Sequence, residues 1–204
     1  MRPARATRID LLRHGETTGG NRYRGSIDDA LTLPGWTAMR AALGKECGWN
    51  RIVSSPLRRC ADFARDLAQR QALPLDIDAR LREIHFGDWE GKTAPDLLAA
   101  DPGAVTRFWN DPVNHPPPGA ENLLAFQTRV LHAWHEIAAR HAGEHLLIVT
   151  HGGPIRIILG QAQGMPVPES LRLEVPHAHL SRLEVKAVPE GGDRPAFTLL
   201  ARSS

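Results

Sequence analysis

Residues 11–17, LLRHGET, decide the fold. Two leucines close an apolar run that RID begins. Then, with no turn residue between, come Arg13, His14, a glycine and an acid. Charged pairs normally occupy solvated faces. An arginine and a histidine at the tip of a buried strand therefore point to a strand that ends at a ligand. In open α/β sheets the ligand crevice lies beyond the carboxyl ends of the strands. The run 8–13 is read as a short buried strand, and 14–35, with its glycines, aspartates and a proline, as a loop.

The same junction recurs far along the chain. HLLIVT (145–150) is the strongest strand pattern, and Thr150-His151-Gly152-Gly153 follows it into a helix over 153–164. Between the two, RIVSS (51–55) reads as a strand. PLRRCADFARDLAQRQ (56–71) reads as a helix with proline near its start, carrying Arg58 and Arg59 in its first turn. The spacing of Trp36, Met39, Ala42 and Leu43 predicts a helix over 36–47. LPLDID is a short extended piece, 81–91 a loop, and APDLLAADP and AVTRFWNDP short helices ending near prolines. A long helix is expected from about 121 to 141. The tail 171–200 alternates well enough for two or three strands, among them LSRLEV and FTLLA. Strands alternating with helices predict a three-layer α/β/α sandwich. Its central sheet would be mostly parallel with helices on both faces, and 92–122 would be a short inserted cap.

At 204 residues, with 42% hydrophobic and 24% charged residues and a net charge of +2, the chain suits one α/β domain over 1–204. No run of lysine and arginine and no aromatic ladder suggests nucleic acid. No apolar stretch is long enough to cross a membrane, and the N-terminus has no signal-peptide core. Two cysteines, Cys47 and Cys60, make no disulfide framework, so a reducing cytoplasm is the expected setting. The expected partner is a small phosphate ester, with room for a homodimer. Among metal signatures, HEIAARH lacks the second histidine of H-E-x-x-H, so no metal site is expected.

A single histidine at a strand end is usually structural. Three strand ends converging, however, would bring two histidines and two or three arginines to one crevice. Arginine forks, imidazoles and glycine N–H groups together suit a phosphoryl dianion.

LLRHGET, SSPLRRC, LREIHFGDWEG, PPPGAEN and IVTHGG occur in the order seen in the histidine phosphatase superfamily, and the chain resembles its phosphoglycerate mutase-like branch from about residue 8 to 185. The resemblance implies that His14 accepts the phosphoryl group as phosphohistidine and that water then removes it. Arg13, Arg59 and His151 would hold the phosphoryl oxygens, with help from Gly152, and Glu83 would protonate the leaving group. No cofactor or metal is implied. Most relatives carry asparagine at the position of Gly20, with Asn21 one residue later here. Either Asn21 substitutes or the loop binds phosphate through its backbone.

RGSIDDALT (24–32), with SSPLRRC and HFGDWEG, is most similar to the α-ribazole phosphatases of cobalamin assembly. That implies α-ribazole 5′-phosphate as substrate, with Arg24 and Asn21 among the binding residues and Trp89, Phe108 and Trp109 as candidate walls. The alternatives are a broad-specificity phosphatase, a mutase or a non-catalytic relative. The segment 92–122 is short for a mutase cap, and none of the five key residues is lost. Arg58, His85 and His177 have no assigned role.

Overall fold

The computed structural model describes residues 6–45, 48–186 and 196–202. Strands β1 (Thr7–Arg13), β2 (Arg51–Ser54), β3 (Leu75–Ile77), β4 (His145–Thr150), β5 (Leu180–Lys186) and β6 (Ala196–Arg202) form one sheet in the order β3-β2-β4-β1-β5-β6. The first four are mutually parallel, whereas β5 and β6 run antiparallel at one edge. The sheet is thus mixed, with its parallel part in the middle.

The helices are α1 (Leu33–Leu43), α2 (Arg58–Gln71), α3 (Ala94–Ala100), α4 (Pro102–Asn110), α5 (Leu123–Arg140), α6 (Gly152–Ala162) and the single turn α7 (Val167–Ser170). Burial on both faces explains the largely apolar runs of the central strands. Ile9, Leu11, Leu146 and Ile148 face a core that contains Phe126, Trp134 and Ile137 of α5 and Ile155 and Leu159 of α6. Leu12, Leu147 and Val149 face the opposite core, with Met39 and Leu43 of α1 and Phe63 and Ala64 of α2. The one acid in this run, Asp10, is buried and accepts hydrogen bonds from Trp49 Nε1 (2.9 Å) and His145 Nε2 (3.1 Å).

Helix α1 starts three residues earlier than its apolar spacing suggests. Thr32 caps it by accepting from the Gly35 N–H, and Pro34 fits the first turn. The 81–91 stretch contains one 3-10 turn, Gly87–Trp89, and a second, Ala79–Leu81, leads into it. Helices α3 and α4 build a small core of their own from Trp89, Leu97 and Phe108, with Tyr23 and Phe86 packed against it. Trp89 and Phe108, expected as ligand walls, are therefore packed and buried here. Residues 171–179 form no strand, so the tail contributes two strands. Cys47 lies outside the described residues, while Cys60 is buried and free. No helix among the described residues is long and apolar enough to cross a membrane.

Candidate active site

Sheet register brings the two histidines together. Arg13 pairs with Thr150 as the last step of the β1–β4 ladder, so His14 and His151 leave the sheet side by side. The His14 N–H donates to Thr150 O (3.0 Å), and the two rings meet edge to face with centroids 5.2 Å apart. On the other side of β4, Ser54 pairs with Val149, which sets Ser55 beside Thr150. The Ser55 hydroxyl lies 2.8 Å from His151 Nε2. The predicted convergence of three strand ends is present.

His14 is buried, and its Nδ1 lies 2.8 Å from Gly15 O. A carbonyl only accepts, so Nδ1 carries the proton and Nε2 keeps its lone pair. Burial, followed by the charges of Arg13 and Arg59, holds the His14 pKa well below the usual histidine value. The imidazole is neutral at physiological pH.

Arg13 anchors Nη1 on Val175 O (2.5 Å), while its buried Nε has no partner among the described residues. Burial lowers its pKa to about 10, against the pull of Glu83, so it stays a cation at neutral pH.

Arg59 and His151 sit deeper. Arg59 donates from Nη1 to Ile27 O (2.6 Å), from Nη2 to Gly25 O (2.8 Å) and from Nε to His151 Nδ1 (3.2 Å). Since guanidinium only donates, His151 Nδ1 is the acceptor and its Nε2–H points to Ser55. Both ring nitrogens of His151 are engaged. Burial, then Arg59, keeps this ring neutral as well. The cavity next to His14, of about 420 Å³, is lined by Arg13, His14, Glu83, Arg156 and His177 together with residues 20–24. Arg59 and His151 lie behind that wall.

Glu83 reaches the cavity from the loop after β3. The backbone of residues 80–83 is held by Arg129 of α5, which donates to the carbonyls of Arg80, Arg82 and Glu83. Thr150 Oγ1 donates to Leu81 O (2.7 Å) and ties the same loop to the end of β4. The Glu83 carboxylate accepts from the Gly153 N–H (3.1 Å) and the Ile84 N–H (3.0 Å). Gly153 is required by this approach, because a Cβ there would overlap Glu83 Oε1. Gly152 leaves room for two guanidinium groups: a Cβ would stand 2.8 Å from Arg156 Nη1 and 3.5 Å from Arg13 Nε.

Asn21 and Arg24 line the cavity mouth. Arg24 is paired to Asp29 (2.7 Å) and donates to Gly20 O (2.9 Å), so it braces the 20–29 loop. His177 lines the cavity with its ring centroid 5.5 Å from His14. Arg58 is exposed; its side chain pairs with Asp62. His85 is exposed and joins Glu90 (2.7 Å) and Ser26 (3.1 Å).

Sequence reasoning missed Arg156, Tyr23 and Phe86. The signal for Arg156 was a lone arginine inside the apolar helix PIRIIL, directly after THGG. A second, shallower groove of about 240 Å³ continues from the cavity over Asn21, Arg22 and Tyr23 to Ala94, Pro95 and exposed Trp109.

Known proteins with similar sequences and structures are phosphatases. The glucosyl-3-phosphoglycerate phosphatase of Mycolicibacterium vanbaalenii is 36% identical over 176 residues, covering 80% of this chain and 77% of that protein. A putative phosphoserine phosphatase 2 of Hydrogenobacter thermophilus is 28% identical over 184 residues, covering 88% and 90%. A solved structure of a putative alpha-ribazole-5′-P phosphatase from Escherichia coli superimposes with a TM-score of 0.83 at 26% identity, covering 98% of this chain and 97% of that one. The profile of the histidine phosphatase superfamily (branch 1) matches residues 9–189, and the chain is a phosphatase belonging to that family.

Proposed function

We propose that the chain hydrolyses phosphate monoesters of small organic molecules through a phosphohistidine at His14. The observation that carries this reading is the His14 Nδ1 to Gly15 O hydrogen bond, which leaves Nε2 as an unprotonated nucleophile beside cationic Arg13. Nε2 attacks phosphorus, the P–O ester bond breaks, and the leaving alkoxide takes a proton from Glu83. A water then attacks phosphorus with Glu83 accepting its proton; the P–N bond breaks and inorganic phosphate departs. Arg13 binds the phosphoryl oxygens through its fork. Its partnerless Nε supports this role, since buried donors almost always have an acceptor. Arg59 adds positive charge from behind His14, and His151 completes that inner layer. Arginine and histidine supply the charge stabilisation that phosphoryl transfer needs, so the reaction is metal-independent in this reading. The buried free thiol of Cys60 supports a reducing, cytoplasmic setting.

The leaving group lies toward Asn21, Tyr23 and Trp109. A flat base stacked on exposed Trp109 would suit α-ribazole 5′-phosphate, the substrate suggested by the 24–32 loop and supported by the Escherichia coli structural relative. Steady-state hydrolysis of p-nitrophenyl phosphate and of α-ribazole 5′-phosphate, in EDTA and with vanadate as inhibitor, tests both levels. Turnover that survives EDTA and is blocked by vanadate supports the mechanism. Turnover lost to chelation and restored by a divalent ion overturns it. A kcat/KM for α-ribazole 5′-phosphate no higher than for p-nitrophenyl phosphate overturns the ribazole reading alone.

A further inference from the structure

One imidazole on the cavity wall has no part in the chemistry above. His177 lines the cavity with Arg13, His14 and Glu83, and its ring centroid stands 5.5 Å from that of His14. The backbone is built to make this contact. Residues 176–179 form a tight turn, closed by the His179 N–H on Pro176 O (3.1 Å). Its third residue, Ala178, sits at φ 58, a left-handed conformation that non-glycine residues rarely adopt. Among the described residues the other non-glycine case is Ala72, which caps α2, where that conformation is common. Ala178 has no helix to end. The turn is instead pinned on the end of β1. The Ala178 N–H donates to His14 O (3.1 Å), the Arg13 N–H to His179 O (2.9 Å) and Arg13 Nη1 to Val175 O (2.5 Å). Backbone strain that is held this firmly marks functional sites, and what this turn does is lay His177 against His14.

Among the described residues neither ring nitrogen of His177 has a hydrogen-bond partner, whereas its neighbour His179 is bonded to Ser181 (2.9 Å). The charged groups that act on His177 are Arg13, Arg24 and Glu16. Desolvation by the surrounding wall, then the two arginines, lower its pKa to about 4, so the ring is neutral at physiological pH. A neutral imidazole still donates from one nitrogen. His14 Nδ1 is engaged with Gly15 O, so a phosphorus on Nε2 carries its oxygens into the cavity that His177 lines. A ring this close to His14 is within hydrogen-bond reach of them.

We infer that His177 is a further ligand of the phosphoryl group, donating a hydrogen bond from its ring to a peripheral phosphoryl oxygen beside Arg13. The inference rests on the reading of His14 as phosphoryl acceptor. Two variants test it, with p-nitrophenyl phosphate as substrate and vanadate, a mimic of the transferring group, as inhibitor. H177L fills much of the space of the ring but has no donor; H177Q has a side-chain amide donor. Since the ring holds no hydrogen bond within the protein, both substitutions leave the backbone bonds of the turn in place. A hydrogen bond to a charged oxygen predicts that H177L raises the vanadate inhibition constant and lowers kcat/KM by about 10- to 100-fold. H177Q recovers most of both. A side chain that only packs against His14 would give the opposite order. H177L inhibited by vanadate as strongly as wild type, or H177Q no better than H177L, overturns the inference. Chemical trapping of the phosphoenzyme in the wild type keeps the two claims apart. If phosphohistidine forms while H177L matches wild type, the His177 inference fails alone. If none forms, the His14 reading fails, and vanadate inhibition of the two variants still decides His177.

Discussion

Glu90, which does not itself line the cavity, is expected to control the site through the loop that holds Arg59. Its carboxylate is mostly buried and accepts from four donors. Oε1 takes the Ser26 N–H (2.7 Å), the Phe86 N–H (3.2 Å) and His85 Nδ1 (2.7 Å), and Oε2 takes the Ile27 N–H (3.0 Å). Residues 25–27 carry the two carbonyls that fix Arg59. In Glu90→Gln the amide oxygen can retain the Oε1 donors, but the amide nitrogen then faces the Ile27 N–H, donor against donor. One charged hydrogen bond is lost and a backbone donor is stranded, together costing about 2–4 kcal/mol. For a chain of this size that lowers Tm by roughly 4–16 °C. Arg59 loses its fixed carbonyl partners, so kcat with p-nitrophenyl phosphate drops more than KM rises.

Burial alone would raise the Glu90 pKa, but the N–H donors of Ser26, Phe86 and Ile27 and the His85 contact outweigh it and hold the pKa low. The contribution is therefore complete above the ordinary carboxylate range and fades as pH falls through the lowered value. Thermal melts and steady-state kinetics at pH 7.5 and pH 4 provide the check. A Glu90→Gln protein with wild-type Tm and kcat at pH 7.5, or a stability gap that widens toward pH 4, refutes the reasoning.

Gly153→Ala drives a methyl into Glu83 Oε1 and brings it within 3.0 Å of Phe126 Cζ; kcat should fall about tenfold or more, with a Tm loss typical of overpacking, and an unchanged kcat would show that Glu83 need not sit where it does. Glu83→Gln should slow alkyl phosphates far more than p-nitrophenyl phosphate, whose leaving group needs little protonation; equal losses would restrict Glu83 to a positioning role. Because burial and two arginines depress the His14 pKa, the nucleophile stays neutral as pH falls from 7 to 6. The acid limb of kcat/KM that belongs to it should lie below the ordinary histidine value near 6.5, and a limb at or above that value in the pH–rate profile contradicts the assignment.

The elements that place the site were legible because each leaves a local mark. LLR and HLLIVT read as strands buried on both faces, and the polar residues after them could only be strand-end residues. Periodicity cannot supply register, yet register is what sets His14 against His151 and Ser55 against Thr150. The antiparallel direction of β5 and β6 was equally invisible, since alternation looks the same in either direction. Side-chain aim was harder still. Arg59 and His151 were identified as site residues, but only the positions of the Gly25 and Ile27 carbonyls reveal that they form a layer behind the cavity wall. Trp89 and Phe108 were candidate walls only through the resemblance, core packing being the default for such side chains, and the small core under α3 and α4 absorbs both. Arg156 was passed over because a lone arginine in a helix is usually solvated, and its place depends on the space that Gly152 leaves.

The central claim is that His14 Nε2 carries the phosphoryl group. Rapid acid-free quenching of the enzyme during turnover of a labelled phosphate ester, followed by peptide mapping, measures this directly. The account predicts a label on His14 that is stable in alkali and lost in acid, absent from His14→Ala, with turnover in that variant below about a hundredth of wild type. A label on another residue, or a His14→Ala protein that still turns over at a comparable rate, would contradict it.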